Sequence, residues 1–546
     1  MYLQLGQRLV AKGRGVTRLL LTFPRLEGDT PALRHQAGRC KAAWYAGAVA
    51  LCFLSIFAGC GSSTYDACII GNNKTPGARA SYQSCDLQRA AAIVAVGVDK
   101  QTADKDASQW GPDSIILLLE QGAILRAAGQ FEQSNKALAM AAEKIDYYDG
   151  QAEISISEEA NSVLVNQAKS RYRGRVSDRI MLGTYRALNF LQTGQFDKAR
   201  PAFKYASEAQ EDLVEKNRER SEKIQEKLNK DPRAKVQVAT DATPNANYPH
   251  GNEIIAAQSR AEEAKKELDA RAPEASCVTA YRNPYMVYLQ ALYLIASPDV
   301  QDHEHARSLL KSLGDSNDAS RFIAQDLDAI AGLEKGKPLS STTYVFFETG
   351  VAPSRIALPL FIPFQLKDPT SGVMGTRWCP AMYPMLDFQK DDDCLSHLQI
   401  RAGSSSEAAV RLANMDTIIA REFKDELPLI LMKTKISIGI KAGVSRAVDS
   451  AQSYVPGQQM VYSALKAGVH LWSNTTYYAD LRTWSMLPKA VEFCRISTPE
   501  NHQLTLTFPS TGQQIPVVIE PGTVNLILVK AINPTTRPTV SQVKLK

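Results

Sequence analysis

The sequence predicts an α+β protein: an N-terminal helical-repeat domain with a helical hairpin insertion, then a C-terminal mixed α/β module with a small antiparallel sheet. Three observations lead there. Near residue 336 the composition shifts from Ala, Leu, Gln, Glu and Lys at helical spacing to Pro, Gly, Thr, Val and Ile in short alternating runs. A Gly-Gln-Phe turn recurs at Gly129 and Gly194, each time after an apolar helical stretch. Three short β-branched runs bounded by turn residues close the chain. At 546 residues the chain has room for two to four domains. The predicted divisions are 1–59, a leader; 60–112, a tether and N-terminal segment; 113–335, the helical domain, with a charged insertion at 207–272; and 336–546, the strand-rich module.

The leader comes first. Arg34, Arg39 and Lys41 flank an apolar run from Ala42 to Ala58, which ends in Phe57-Ala58-Gly59-Cys60. That arrangement resembles the lipobox of bacterial lipoprotein signal peptides. The resemblance implies a diacylglyceryl thioether on Cys60, cleavage before it and acylation of the new N-terminus. Seventeen apolar or small residues fall short of the roughly 20 that span a bilayer, so cleavage is expected over an uncleaved signal anchor. Phe57 stands where the family prefers Leu, and 41 residues precede the core. Gly61-Ser62-Ser63 lacks the Asp that favours inner-membrane retention in enteric bacteria, which implies the outer membrane, facing the periplasm.

Cleavage changes the charge. The whole chain is formally +6, but eight of its 63 basic and two of its 57 acidic residues precede Cys60. The mature part then holds 55 of each and is neutral, so the basic balance is no argument for a nucleic-acid partner. Cys68, Cys85, Cys277, Cys379, Cys394 and Cys494 remain, an even number for an oxidising compartment. Spacing favours disulfides between Cys68 and Cys85 and between Cys379 and Cys394.

In the helical half, Gly129-Gln130-Phe131 followed by Ala137, Leu138 and Ala141 recurs as Gly194-Gln195-Phe196 followed by Ala202, Phe203 and Ala206. Apolar helices over Ile115 to Ala128 and Met181 to Thr193 precede the two turns. The pattern resembles tetratricopeptide-type helix pairs, with a degenerate third copy from Pro284 to Leu310. The first two copies stand 65 residues apart, so insertions separate them. One insertion reads as two charged helices, Ser207 to Asp231 and Asn252 to Ala272, forming a projecting hairpin. Spacings such as Glu219–Lys223 support solvated helices. Gln130, Phe131, Gln195 and Phe196, with Tyr185 on the preceding helix, are the candidate partner-binding residues.

In the second half, Thr342 to Glu348 is a strand, and Ile356 to Phe364 is a second one broken by prolines. Helices are expected from Ser406 to Phe423 and from Pro428 to about Ala451, with Pro428 at a helix start. Strands return at Leu504 to Phe508, Ile515 to Ile519 and Val524 to Val529. Lys433, Lys435, Lys441 and Arg446 interrupt the apolar stretch Leu429 to Val448. That rules against a membrane span and leaves a helix docked on the sheet, or one lying on lipid.

Four stretches carry a wider resemblance: Ala479 to Pro488 (ADLRTWSMLP), Asn283-Pro284-Tyr285, Val345 to Pro353, and Met415-Asp416. Together they resemble an uncharacterised family of Gram-negative lipoproteins that combine a lipobox, tetratricopeptide-like helices and a strand-rich C-terminal module. Leu481 departs from the polar residue expected there. The resemblance implies architecture and location, not a reaction. Within the first stretch, Asp480 and Arg482 share a face if the segment is extended, and Trp484 and Leu487 are placed to bury. Asp480, Arg482, Trp484 and Pro488 are therefore expected to form a structural corner, with ligand contact as the alternative.

Candidate chemistry is sparse. His303 and His305 lie beside Asp299 and Asp302, but residues two apart on a helix face different ways, so an exposed polar turn is expected rather than a metal site. Asp391-Asp392-Asp393 beside Cys394 lacks the glycine and distal Glu of a calcium loop and reads as a surface loop. There is no Walker loop, dinucleotide fingerprint, His-Glu-x-x-His or Gly-x-Ser-x-Gly. The expectation is no cofactor, no metal and no catalysis. The chain reads as a lipid-anchored scaffold that binds other envelope proteins through its helices. The rivals are a self-associating structural lipoprotein and an enzyme acting on envelope polymer.

Overall fold

The computed structural model describes residues 63–71, 76–104, 106–151, 170–230, 238–239, 242–246, 250–272, 282–314, 318–367, 372–454 and 479–546. Cys60, the leader and Cys277 lie outside them. The described chain is α+β, with helices first and mixed sheets after.

Helices α1 (Ala78–Gln83) and α2 (Leu87–Gln101) lead into three packed pairs. These are α3 (Ser114–Ala127) with α4 (Phe131–Asp149), α5 (Val176–Gln192) with α6 (Phe196–Lys230), and α8 (Pro284–Ala296) with α9 (Val300–Ser312). Between the last two pairs lies α7 (Gly251–Arg271), and α10 (Ser320–Glu334) follows α9. The first two turns share one mechanism. Gly129 and Gly194 adopt φ +74 and +69, where a side chain is disfavoured. Gln130 N then donates to Leu125 O, and Gln195 N to Phe190 O, both at 2.8 Å, closing each helix in a Schellman motif. Within the pairs, small residues let backbones approach: a Cβ on Gly183 of α5 would lie 2.8 Å from Ala202 O of α6.

The first helix of each pair is buried nearly all round; neighbouring helices and the segment at Ser485 cover α3, while α5 and α8 also lean on a sheet. That sheet has the order β11-β10-β1-β7-β6. Its strands are β1 (Thr342–Thr349), β6 (Val410–Asn414), β7 (Ala490–Ser497), β10 (Val524–Ala531) and β11 (Thr539–Lys544). Central β1 pairs parallel with β10 and antiparallel with β7. Its alternation sorts side chains by face. Phe346 meets Tyr285 and Tyr288 of α8, while Phe347 meets Phe508 on the far side. Phe508 belongs to a second sheet, β5-β4-β8-β9, built from β4 (Gln399–Ala402), β5 (Ser405–Ala408), β8 (Gln503–Phe508) and β9 (Gln513–Val518). The three closing strands divide between these sheets, β10 in the first and β8 and β9 in the second.

Several elements differ from expectation. The second strand is not broken by its prolines: β2 (Ser354–Lys367) pairs along its whole length with β3 (Met374–Asp387) as a separate ribbon. Pro363 O accepts from Ala239 N outside the ribbon, which makes Pro363 a residue whose backbone groups point away from β3. By the period of two, Pro359 and the opposing Pro380 and Pro384 share that setting, so none removes a pairing hydrogen bond. Residues from Ser406 onward form strands, and one helix, α11 (Met415–Tyr454), runs through Pro428 without a restart. Buried contacts hold both sides of the proline, outweighing the ~3 kcal/mol of an interior proline. Phe423 packs in the main core, and Leu429 and Ile436 pack with Ile224 and Leu228 of α6.

Farther along, Ile438 and Ala442 of α11 pack on Ile362 and Phe364 of the ribbon. The stretch from Leu429 to Ala442 is therefore docked, on the ribbon and α6. No helix among the described residues is long and apolar enough to cross a membrane. The charged insertion is helical, and Glu219 and Lys223 are paired at 3.6 Å. It is not a free projection, because α6 leans on α11, and α7 on β2 and α11.

All five described cysteines, Cys68, Cys85, Cys379, Cys394 and Cys494, are free, which overturns the two expected disulfides. Their thiols face other partners. Cys68 lies in a π-helical turn against the position of Gly97, and Cys85 lies 3.0 Å from Thr536 Oγ1. Cys379 is held in the ribbon core, and Cys394 lies 3.7 Å from Lys390 O.

Candidate functional site

The segment Ala479 to Leu487 joins the helices to the sheet. It has no regular structure, so its backbone groups need partners from elsewhere. Ser485 N and Oγ donate to Glu120 Oε1, both at 2.8 Å, and Met486 N donates to Glu120 Oε2 at 3.2 Å. On the other side, Arg79 donates to Ser485 O at 2.6 Å, Tyr65 OH to Thr483 O at 2.6 Å, and Arg175 to Arg482 O at 2.9 Å. Trp484 is buried edge-on against Tyr185, with ring centroids 5.9 Å apart.

Arg482, 1% exposed, grips Asp480 through two bonds of 2.8 and 2.9 Å. It also reaches Asp113 at 3.2 Å and donates to Ser170 O at 2.6 Å. Burial pulls the Asp480 carboxyl upward, but the Arg482 guanidinium outweighs it and holds the group down at about 2. Glu120 has no such dominant counter-charge, and burial pushes it up to about 7. Glu422 on α11 is likewise pushed up to about 7, by burial and then by the neighbouring Glu426. It caps α5 from outside, accepting from Val176 N at 2.7 Å and Ser177 Oγ at 2.5 Å. Glu426 binds Arg175 at 3.0 Å and Arg355 at 2.7 Å.

Three further carboxylates tie helices to strands. Glu348 accepts from Lys530 at 2.8 Å, Tyr285 at 3.0 Å and Tyr185 at 3.3 Å. Burial works against its charge, yet Lys530 and Arg126 keep its pKa below the ordinary value. Asp326 accepts from Tyr288 at 2.5 Å, Tyr344 at 2.7 Å and Arg495 at 2.7 Å. Asp416 is bound by Lys489 and by Arg271 at 2.9 Å. All three are sealed from solvent and paired with cations, although Asp416 Oδ1 is buried without a hydrogen-bond partner among the described residues; what they do is fix the helices onto the sheet. The stretches quoted for the resemblance lie in this junction. Asn283 caps α8 by accepting from Tyr285 N at 3.1 Å, with Pro284 at the first helical position.

An opening lies elsewhere. A groove of about 460 Å³ runs between α2 and α4 over α3. One wall is Ala91, Ala92 and Ala95; the other is Gln133, Lys136, Ala137 and Met140. Gln121 and Leu125 form its floor, and Gln130 stands at one end.

Of the candidate partner-binding residues, Gln130 lines this groove and Phe131 is half-buried under Arg126, whose guanidinium is 5.8 Å from the ring centroid. Gln195 donates to Thr193 Oγ1 at 2.9 Å, and Phe196 is 37% exposed at the second turn. Tyr185 is fully buried against Trp484 and Glu348, which corrects its assignment to a partner surface. The inner faces of these helices are filled by the chain's own segment and sheet. Asp480, Arg482, Trp484 and the buried Pro488 sit together in the junction, while Cys60 is outside the described residues.

His303 is not in an exposed turn. It is buried on α9, with Nε2 3.0 Å from Ser297 O, and Asp302 is held by Arg200 at 2.9 and 2.5 Å. No cluster that could hold a metal ion occurs among the described residues. Glu120, Glu348 and Lys530 went unremarked in the sequence. Their signal was a lone charge within or at the end of an apolar run, which a folded core tolerates only when paired. No family model, no curated protein and no solved structure matches this chain.

Proposed function

We propose that this chain is a lipid-anchored scaffold of the cell envelope, tethered through Cys60 at the outer membrane. Its helices hold segments of other envelope proteins in the periplasm. The observation that carries the reading is the groove between α2, α3 and α4. The inner helix faces are spent on the chain's own junction, whereas this outer valley is open and mixes an Ala and Met lining with glutamine amides and one lysine. Apolar walls with a few placed polar groups suit a protein segment. The leader ending in Cys60 supports the location, and the lipoprotein resemblance is in keeping with both.

Crosslinking in membranes tests this, using the wild type beside Met140→Glu and Gln133→Arg, both on the far wall of the groove. The expected result is a heterologous envelope protein captured by the wild type and lost from both variants. Capture that survives both substitutions removes the groove from the reading. Recovery of the chain alone favours the self-associating structural lipoprotein. No capture at all favours the enzyme acting on envelope polymer.

A further inference from the structure

Helix α2 buries Ala90, Val94, Gly97 and Val98 and turns the opposite face to solvent. That outer face carries Arg89, Ala92, Val96 and Asp99, all exposed, at spacings of three, four and three. Such spacing forms one stripe along a helix. Val96 is 68% exposed, among the most exposed large apolar side chains described. Neither Arg89 nor Asp99 makes an ion pair among the described residues, so both charges are available to a second surface.

The stripe is symmetric in its chemistry about Val94. Arg89 and Asp99 lie five residues to either side, and Ala92 and Val96 two residues to either side. Reversing the helix therefore puts a cation opposite an anion at both ends, and a small residue opposite a larger apolar one at both inner positions. A parallel partner would set Arg89 against Arg89 and Asp99 against Asp99. An antiparallel copy related by a two-fold axis is the arrangement in which one patch satisfies itself, as an isologous interface requires.

We propose that α2 is a self-pairing face: two copies of this chain associate through antiparallel α2 helices. Arg89 then meets Asp99 of the second copy, and Val96 packs on its Ala92. This goes beyond the scaffold reading; the stripe borders the groove and shares Ala92 with its wall, so a second copy and a bound segment meet there. A contact between two 15-residue helices covers less than the ~800 Å² per partner of a standard interface, so the dimer is weak and concentration-dependent. Tethering both copies to one membrane raises their effective concentration.

Sedimentation velocity on the full chain, at concentrations up to roughly 1 mM, tests it. Arg89→Asp or Asp99→Arg alone sets like charges together at both ends and is expected to weaken association at least about tenfold. The double variant, Arg89→Asp with Asp99→Arg, restores the opposite pairing and is expected to recover the dimer. All four positions are exposed, and an unchanged thermal melt confirms that each variant is folded. A chain that stays monomeric throughout overturns the proposal. So does a dimer indifferent to the single reversals, or a double variant as dissociated as the singles. Arg89 and Asp99 do not line the groove, and Met140 and Gln133 are not on the stripe, so loss of the dimer and loss of partner capture are read from different variants even though Ala92 belongs to both surfaces.

Discussion

Glu120→Gln asks whether the junction is held by a carboxylate that is ionised at a cost. Glu120 sits in the otherwise apolar stretch of α3 with no exposed surface, and burial raises its pKa from 4.5 to about 7. The native state therefore keeps the proton to higher pH than the unfolded chain does. Between those two values the unfolded chain ionises first, and stability falls as pH rises; below 4.5 and above about 7 the contribution is level. A shift of this size corresponds to ~3 kcal/mol over the full window. Glutamine resembles the protonated acid. Its oxygen can accept from Ser485 N and Oγ, but its amide nitrogen only donates, so the Met486 N–H loses the acceptor it has in Glu120 Oε2.

The orphaned Met486 N–H costs the variant ~1–3 kcal/mol at every pH, while relative to the wild type it should gain ~2 kcal/mol between pH 5 and pH 8. Glu422 titrates in the same window but is common to both chains, so it cancels in the difference. Urea unfolding followed by tryptophan fluorescence, with Trp484 one residue from the contact, measures the gap at each pH. A gap that is the same at pH 5 and pH 8 would refute the argument.

Two other outcomes are expected. Arg482→Ala leaves Asp113 and Asp480 without their shared cation inside the junction and should cost ~3–5 kcal/mol of stability; an unchanged melting temperature with lost partner capture would make the segment a binding site instead of a structural corner. Cys60→Ser should abolish lipid labelling and leave an uncleaved precursor; a variant that labels and matures normally refutes the anchor.

The boundaries of the first two helix pairs were legible because local physics sets them. Gly129 and Gly194 are needed for a left-handed residue after the helix, and the apolar stretches before them are long enough to read as helix. Strands β1, β8, β9 and β10 were legible for a similar reason, since each is a β-branched run between turn residues. Strand β3 escaped notice because Pro380 and Pro384 look like breakers, and only the register with β2 shows that their missing N–H groups face outward. Strand β7 followed the Trp484 segment without a turn signal of its own. The disulfides failed because short sequence spacing says nothing about the direction of a thiol, and Cys85 points to Thr536 near the far end of the chain.

What the sequence determined by itself is the class of the fold, the two glycine-closed turns and the change from helix to strand near residue 336. Each depends on residues close together in the chain. What only the tertiary structure decided is which faces are used. The parallel pairing of β1 with β10, the match of Glu120 to Ser485 and the burial of Tyr185 under Trp484 join residues up to several hundred positions apart. No local pattern encodes such a meeting. The buried charges needed partners, and those partners came from the strands and from the segment between Ala479 and Leu487. That closed the inner helix faces and left the outer ones, the groove and the stripe on α2, open to solvent.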